Sequence, residues 1–280
     1  MYKIVDKKIL NDNVIEMEIL APLIAKKALP GQFIILRSKN DSERIPLTIS
    51  DYNINKGTIT IIFQVVGEST IELNTLNKDD YIKDFVGPLG QPSHLDNLNK
   101  VCVIGGGVGS AIAYPIAKKL HEDNKEVHSI IGFRTKDLLI LEDKFKEVSD
   151  KLIIMSDDGT CGTKGLVTDA LEELIKLGHQ YDEVIAIGPL IMMKYVSLLT
   201  KKYNLKTTVS MNPIMIDGTG MCGGCRLTVD NKIKFACVDG PDFDGHLVDF
   251  DEVLKRSSMY KEFETHRKTN NCNILKKVAN

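Results

Sequence analysis

Along the first hundred residues, apolar positions come in short runs or alternate with polar ones, the period-two texture of strands. The pattern predicts strands over 3–10, 14–20, 32–37, 58–66 and 81–86, with turn signals at Leu29-Pro30-Gly31 and Asn55-Lys56-Gly57, and one helix over 70–76. Several short strands in so few residues predict a small β-barrel or sandwich. The texture changes at Asn97. From 100 to 210, apolar strands alternate with amphipathic helices: 100–104 then 108–122, 126–131 then 138–147, 151–155 then 166–177, 183–187 then 190–203, and a last strand at 207–210. That alternation predicts a doubly wound α/β domain, a parallel sheet with helices on both faces. After Asn212 the periodicity gives way to a Gly- and Cys-rich stretch, and from His246 the chain reads as helical. The expected organisation is a β-barrel at 1–97, the α/β domain at 98–211, the cysteine segment at 212–246 and a helical tail at 247–280.

Composition narrows the function classes. A net charge of −2 over 280 residues gives no basic field for nucleic acid. No apolar run approaches membrane-spanning length, and the N-terminus MYKIVDKKIL has no signal-peptide core, so no membrane association and a cytoplasmic location are expected. In a reducing compartment the six cysteines are read as buried thiols, metal ligands or redox groups rather than disulfides. Thirty lysines stand against six arginines, so each Arg is a candidate for placement by its planar fork. The end of the chain, from Lys255, is basic and reads either as a solvated end or as a docking tail.

The segment Val101–Leu120 is a strand, a glycine turn and a helix. Gly105, Gly106, Gly107 and Gly109, with Val108, let backbone approach a phosphate at the helix N-terminus, which points to a dinucleotide. No acid closes the next strand; Arg134 follows it instead, either near the adenosine end of the nucleotide or simply on the surface, so NAD and NADP both stay open. Asp157 and Asp158, in the loop after the third strand of this domain, and Gly188-Pro189, after the fourth, fall at the carboxyl edge of the sheet, where such folds bind ligands. Cys161 lies in the first of these loops. In the first domain, Arg44-Ile45-Pro46-Leu47-Thr48 sets a rare Arg beside a Pro-stiffened strand, and Val65-Val66-Gly67-Glu68-Ser69-Thr70 is a second possible phosphate cradle. Either motif alone is also an ordinary turn and cap.

The sharpest signal is Asp217-Gly-Thr-Gly-Met-Cys222-Gly-Gly-Cys225, with Cys237 further on. The spacing is that of a plant-type [2Fe–2S] loop, with Asp217 where its first Cys belongs. A carboxylate can ligate iron, so Asp217, Cys222, Cys225 and Cys237 form a candidate cluster set. Zinc on the three Cys with His246 is the alternative, and would make a metal-stabilised nucleotide-binding module.

Taken in order, Pro30-Gly-Gln-Phe33, Arg44-x-Pro-Leu-Thr48, Gly67-x-Ser-Thr70, Gly87-Pro-Leu-Gly90, the Gly105–Gly109 turn, Gly188-Pro189 and the Cys loop resemble the ferredoxin–NADP reductase superfamily. Within it the chain is similar to the branch holding the electron-transfer subunits of dihydroorotate dehydrogenase and the small subunits of electron-bifurcating NADH-dependent ferredoxin:NADP oxidoreductase and sulfide dehydrogenase. The resemblance implies FAD on the barrel, with Arg44 at the pyrophosphate, Pro46, Leu47 and Thr48 along the isoalloxazine and ribityl chain, and Val65, Gly67, Ser69 and Thr70 around the phosphates. It implies NAD(H), with NADP(H) open, on the α/β domain, a [2Fe–2S] cluster, and a larger flavin/[4Fe–4S] partner through which ferredoxin is served indirectly. Asp217 in place of Cys leans toward the bifurcating group. No side-chain acid or base is expected to be catalytic.

Overall fold

The computed structural model describes residues 1–259. The rest of the basic tail, with Cys272, lies outside the described residues.

The first domain contains β1 (Tyr2–Asn11), β2 (Val14–Leu20), α1 (Pro22–Ala25), β3 (Phe33–Arg37), β4 (Ile45–Asn53), β5 (Thr58–Gln64), α2 (Glu68–Thr75), β6 (Tyr81–Ile82) and β7 (Asp84–Leu89). The strands run antiparallel in the order β6-β1-β2-β5-β4-β3-β7. β6 and β7 are two halves of one pass. The first half pairs with β1 and the second with β3, which curls the sheet into a nearly closed barrel. At the join the Lys83 amide donates to the carbonyls of Arg37 and Ser38, at 3.1 and 3.2 Å. The single strand expected at 81–86 is therefore split, because closure requires its two ends to face different partners.

β3 does not alternate, since both of its faces are covered. Ile34 and Leu36 fill the barrel with Ile4, Ile19, Phe63 and Phe85. Phe33 and Ile35 point outward into the core of the second domain.

That domain continues with β8 (Lys100–Gly106), α3 (Ser110–Glu122), β9 (Glu126–Phe133), α4 (Glu142–Glu147), β10 (Lys151–Ser156), β11 (Thr163–Lys164), α5 (Val167–Lys176), β12 (Glu183–Ile187), α6 (Leu190–Lys202) and β13 (Thr207–Ser210). A hairpin of β14 (Arg226–Val229) and β15 (Lys232–Phe235) follows, then β16 (Asp242–Asp244) and α7 (Phe250–Ser257). The sheet order is β11-β10-β9-β8-β12-β13-β16, parallel except for the antiparallel edge strand β16. The strand order reverses around β8, which makes the carboxyl ends of β8 and β12 the switch point.

Two expectations change. The helix at 138–147 is instead a 3-10 turn (Lys136–Leu138) followed by α4, because Leu141 takes a left-handed φ of 59° as the chain turns to bury Ile140 under α3. The cysteine stretch is not free of strands: Asp230 and Asn231, at φ 50° and 58°, make the two-residue turn of a β-hairpin. The domains are joined by packing of Val14 and Ile62 into the α3-side core, and by ion pairs Lys118–Asp51 at 2.8 Å and Lys144–Glu16 at 3.1 Å. No helix among the described residues is long and apolar enough to cross a membrane.

Candidate functional site

β5 delivers the chain to Gly67, the N-cap of α2. The Thr70 hydroxyl accepts from the Val66 and Gly67 amides at 3.0 Å each and donates to the Gly67 carbonyl at 2.9 Å. It is therefore engaged in holding the turn. The Ser69 hydroxyl donates to Glu43 at 3.2 Å. Gly67 has an ordinary extended backbone (φ −125°), and a Cβ there would meet nothing within 4 Å. The glycine thus leaves open space in front of the amides that begin α2, which have no intrahelical acceptor. Free N–H groups and the positive end of the helix dipole are the features that favour an anion at such a turn. Val65 is half-buried and Arg44 is exposed, one residue ahead of β4. On β4, Pro46 and Thr48 are paired with Ile35 and Phe33 and so share their outward face, whereas Leu47 turns toward the barrel core.

At the switch point the glycines divide. A Cβ at Gly105 would strike Ser110 (2.7 Å to Cα); at Gly106, the Met192 sulfur (2.4 Å); at Gly109, the Ile187 carbonyl (2.5 Å). Gly188 is less tightly hemmed in, with a Cβ 2.9 Å from the Met192 methyl and 3.1 Å from the Gly106 backbone. These four positions have no room for a side chain, which lets strand, helix and turn pack closely. Gly107 differs: its φ is +55° and its Cβ position is empty. The half-buried Val108 follows it, and Pro189 stands exposed as the N-cap of α6. Ser110, in the first turn of α3, is fully buried, and among the described residues its hydroxyl has no hydrogen-bond partner. Sequence reading passed over this orphaned polar atom at the mouth of the turn; a Ser directly after the glycines was the available signal.

Arg134, Asp157 and Asp158 gather at the carboxyl edge of β9 and β10, all exposed. The Asp157 and Asp158 amides donate to the carbonyls of Phe133 and Arg134 at 3.1 and 3.3 Å. The Asp158 carboxylate accepts from the Thr160 amide and hydroxyl at 2.9 and 2.7 Å, which holds its pKa below the ordinary value. Its side chain is thus committed to shaping the loop.

The cysteine loop lies against the outer face of the barrel. A Cβ at Gly218 would come within 2.7 Å of Ile35 and 2.8 Å of Leu89. Gly218, Gly220 and Gly223 all take left-handed φ, between 67° and 83°, which wraps the backbone tightly. The Asp217 carboxylate accepts from the Thr219 and Cys222 amides at 2.9 Å each, which lowers its pKa. Cys225 and Cys237 are buried with their sulfurs 3.2 Å apart, and burial, then the neighbouring sulfur, pushes the Cys237 thiol up. Two soft donors this close, beside a carboxylate and left-handed glycines, fit the chemistry of an iron–sulfur loop. The exposed Cys222 and the half-buried Asp217 do not close on them: among the described residues, no group of three His, Cys, Asp or Glu side chains stands around a metal position. His246 is elsewhere, its Nε2 bonded to the Thr200 hydroxyl at 2.9 Å, so the zinc set lacks its fourth ligand.

Comparison with known proteins agrees with this arrangement. The family model for the iron–sulfur cluster binding domain of dihydroorotate dehydrogenase B matches residues 212–249. A dihydroorotate dehydrogenase B (NAD(+)) electron transfer subunit homolog from Thermotoga maritima is 47% identical over 262 residues, covering 94% of this chain and 92% of its own. A solved NADH-dependent reduced ferredoxin-NADP oxidoreductase chain, described for flavin-based electron bifurcation, is 45% identical with a TM-score of 0.90, over 96% of this chain and 98% of that one. Plasmodium falciparum ferredoxin-NADP+ reductase, at 19% identity and a TM-score of 0.59 over 74% of this chain and 94% of that one, shares the fold alone. The chain belongs to the family of dihydroorotate dehydrogenase B electron-transfer subunits and their homologues, built on the ferredoxin–NADP reductase fold.

Proposed function

We propose that this chain is the FAD- and [2Fe–2S]-carrying subunit of an electron-bifurcating NADH-dependent ferredoxin:NADP oxidoreductase, working in the cytoplasm beside a larger flavin/[4Fe–4S] subunit. The observation that carries it is the meeting of loop and barrel at Ile35. The cysteine loop touches Ile35 through Gly218, and Ile35 pairs with Pro46 on β4. Paired strands lie about 4.8 Å apart, so the cluster loop and the flavin face of the barrel are near neighbours on one surface. The full-length likeness to the bifurcating enzyme's chain gives independent support.

In this reading Arg44 and the α2 amides bind the FAD pyrophosphate, Pro46 and Thr48 edge the flavin ring, and Gly67 leaves room for the phosphates. Gly107 and the start of α3 take the nicotinamide nucleotide, with Arg134 toward its adenosine end. Asp217, Cys222, Cys225 and Cys237 hold the cluster. A bound FAD would supply hydride exchange with the nicotinamide and single-electron exchange with the cluster. The residues' task is distance, orientation and exclusion of water, with no side-chain acid or base.

A second reading, the electron-transfer subunit of an NAD-dependent dihydroorotate dehydrogenase, is favoured by the Thermotoga relative. Purification of the complex from its native cell separates the two. A larger flavin/[4Fe–4S] subunit is expected, and NADPH-dependent ferredoxin reduction that requires NAD+ as the second electron acceptor. A dihydroorotate-oxidising partner moves the assignment to the second reading, and a colourless, zinc-containing protein refutes both. Asp217→Cys tests the ligand set: an unchanged EPR spectrum and potential would remove Asp217 from it.

A further inference from the structure

Two of the six arginines touch one turn. Arg226 Nη1 donates to the Gly223 carbonyl and Arg256 Nη2 to the Gly224 carbonyl, both at 3.2 Å. Gly223 and Gly224 are the residues between Cys222 and Cys225. Arg256 reaches this turn from α7, 32 positions along the chain. On the same side of that helix, four residues earlier, Glu252 accepts the Thr228 amide of β14 at 2.9 Å. Phe250 and Val253 bury the helix against α6 and β14, so α7 is docked without Arg256.

We propose that Arg256, seconded by Arg226, is a positioning residue that fixes the turn between Cys222 and Cys225 and sets positive charge against the cluster, raising its reduction potential. The inference rests on the iron–sulfur reading of the loop. Two ferric ions, two sulfides and four anionic ligands leave the oxidised cluster with a net charge of about −2, and a one-electron reduction takes it to about −3. A nearby cation stabilises the second state more than the first. The guanidinium suits this place because it stays charged and its fork holds a carbonyl in a fixed direction. A lysine in a chain this rich in lysine would supply the charge without the fork.

The test is an EPR-monitored redox titration of the holoprotein, with dithionite as reductant and dye mediators. Arg256→Gln keeps an amide donor and loses the charge; Arg256→Lys keeps the charge. A unit charge about 10 Å away at an effective dielectric of about 20 is worth about tenfold in the reduction equilibrium. Arg256→Gln is therefore expected to lower the potential by about 59 mV, the tenfold step of a one-electron couple. Arg256→Lys is expected to stay within about threefold of wild type. A Gln variant within about twofold of wild type overturns the proposal, as does a Lys variant that falls as far as Gln. If Arg256→Gln fails to retain iron, Arg226→Gln, at an exposed side chain, carries the same test with the same limits. Wild-type protein with no [2Fe–2S] signal on reduction overturns the cluster reading itself; a normal wild-type signal with unmoved variants overturns only this inference.

Discussion

Adding one methyl group at Gly67 and one at Gly109 separates a glycine kept for a ligand from a glycine kept for packing. At Gly109 the backbone (φ −59°, ψ −22°) suits alanine, but the new Cβ lies 2.5 Å from the Ile187 carbonyl oxygen, 2.6 Å from the Gly188 Cα and 2.9 Å from its nitrogen. All three are backbone atoms at the end of a central strand and cannot swing aside. Overpacking of this kind costs about 1–3 kcal/mol. Loss of unfolded-state entropy returns about 0.4–1 kcal/mol. Gly109→Ala is thus expected to lose about 1–2 kcal/mol of stability. At Gly67 the Cβ meets nothing within 4 Å. The same entropy gain offsets the roughly 0.5–1 kcal/mol by which alanine is the poorer N-cap. Stability is expected to stay within about 0.5 kcal/mol of wild type, while on the proposed reading the methyl would stand in the space assigned to the FAD phosphates. FAD affinity is expected to fall about tenfold, or about 1.4 kcal/mol. Urea unfolding of flavin-stripped protein measures the first quantity and quenching of FAD fluorescence the second. Wild-type FAD affinity in Gly67→Ala would refute the cradle, and wild-type stability in Gly109→Ala would refute the packing account.

Three further outcomes follow from buried and exposed groups. The Asp242 carboxyl is raised above its ordinary 3.8 by burial; it accepts from Ser93 at 2.5 Å, and its other oxygen has no hydrogen-bond partner among the described residues. The native state therefore binds more protons than the unfolded state above that ordinary value, so this group costs stability as pH rises; Asp242→Asn is expected to stabilise at pH 7, with the gain vanishing toward pH 3 in paired urea titrations. In cluster-free protein, iodoacetamide is expected to alkylate the exposed Cys222 first and to spare Cys102, which is fully buried with its thiol pushed up, until the chain unfolds; peptide mapping that finds Cys102 modified in native protein would contradict this. Lys118→Met breaks a part-exposed ion pair with Asp51 and is expected to cost less than about 1 kcal/mol in chemical unfolding, since packing of Val14 and Ile62 holds the domain joint.

What the chain announces and what it hides divide by range. Strand and helix periodicity is local, and the barrel-then-α/β order is legible from it. Leu141 shows the limit: its left-handed backbone is imposed by burial of Ile140, which no local propensity for leucine foretells. The Asp230-Asn231 turn was readable by its residue types but stood beside a denser glycine and cysteine signal. The packing demand on Gly106 was not legible in its motif, because whether a Cβ there strikes Met192 or open space depends on a helix some eighty residues away. Contact of Gly218 with Ile35, and of Arg256 with Gly224, joins segments whose pairing has no sequence signature at all.

The cysteine segment is best understood as an insertion held at a neck, not as an appended module. The chain leaves the sheet at β13 and returns as β16, with Ser210 in register with Asp242 and the Met211 amide donating to the Pro241 carbonyl at 2.8 Å. Closing a loop of about 30 residues costs about 3 kcal/mol of chain entropy, and the β13–β16 ladder meets that cost before any cluster binds. Outside the neck, the Gln91 amide bonds the Gly240 carbonyl at 2.7 Å, its side chain bonds the Val238 carbonyl at 3.0 Å, and Ser93 bonds Asp242. The barrel-to-sheet linker thus grips both the base of the loop and its last turn. With Gly218 seated on β3 and α7 bracing the opposite side through Glu252 and Arg256, the loop is fixed to both domains at once. Tunnelling between redox centres is sensitive to separation, and a loop tied at base, flank and tip keeps that separation from varying as the domains breathe.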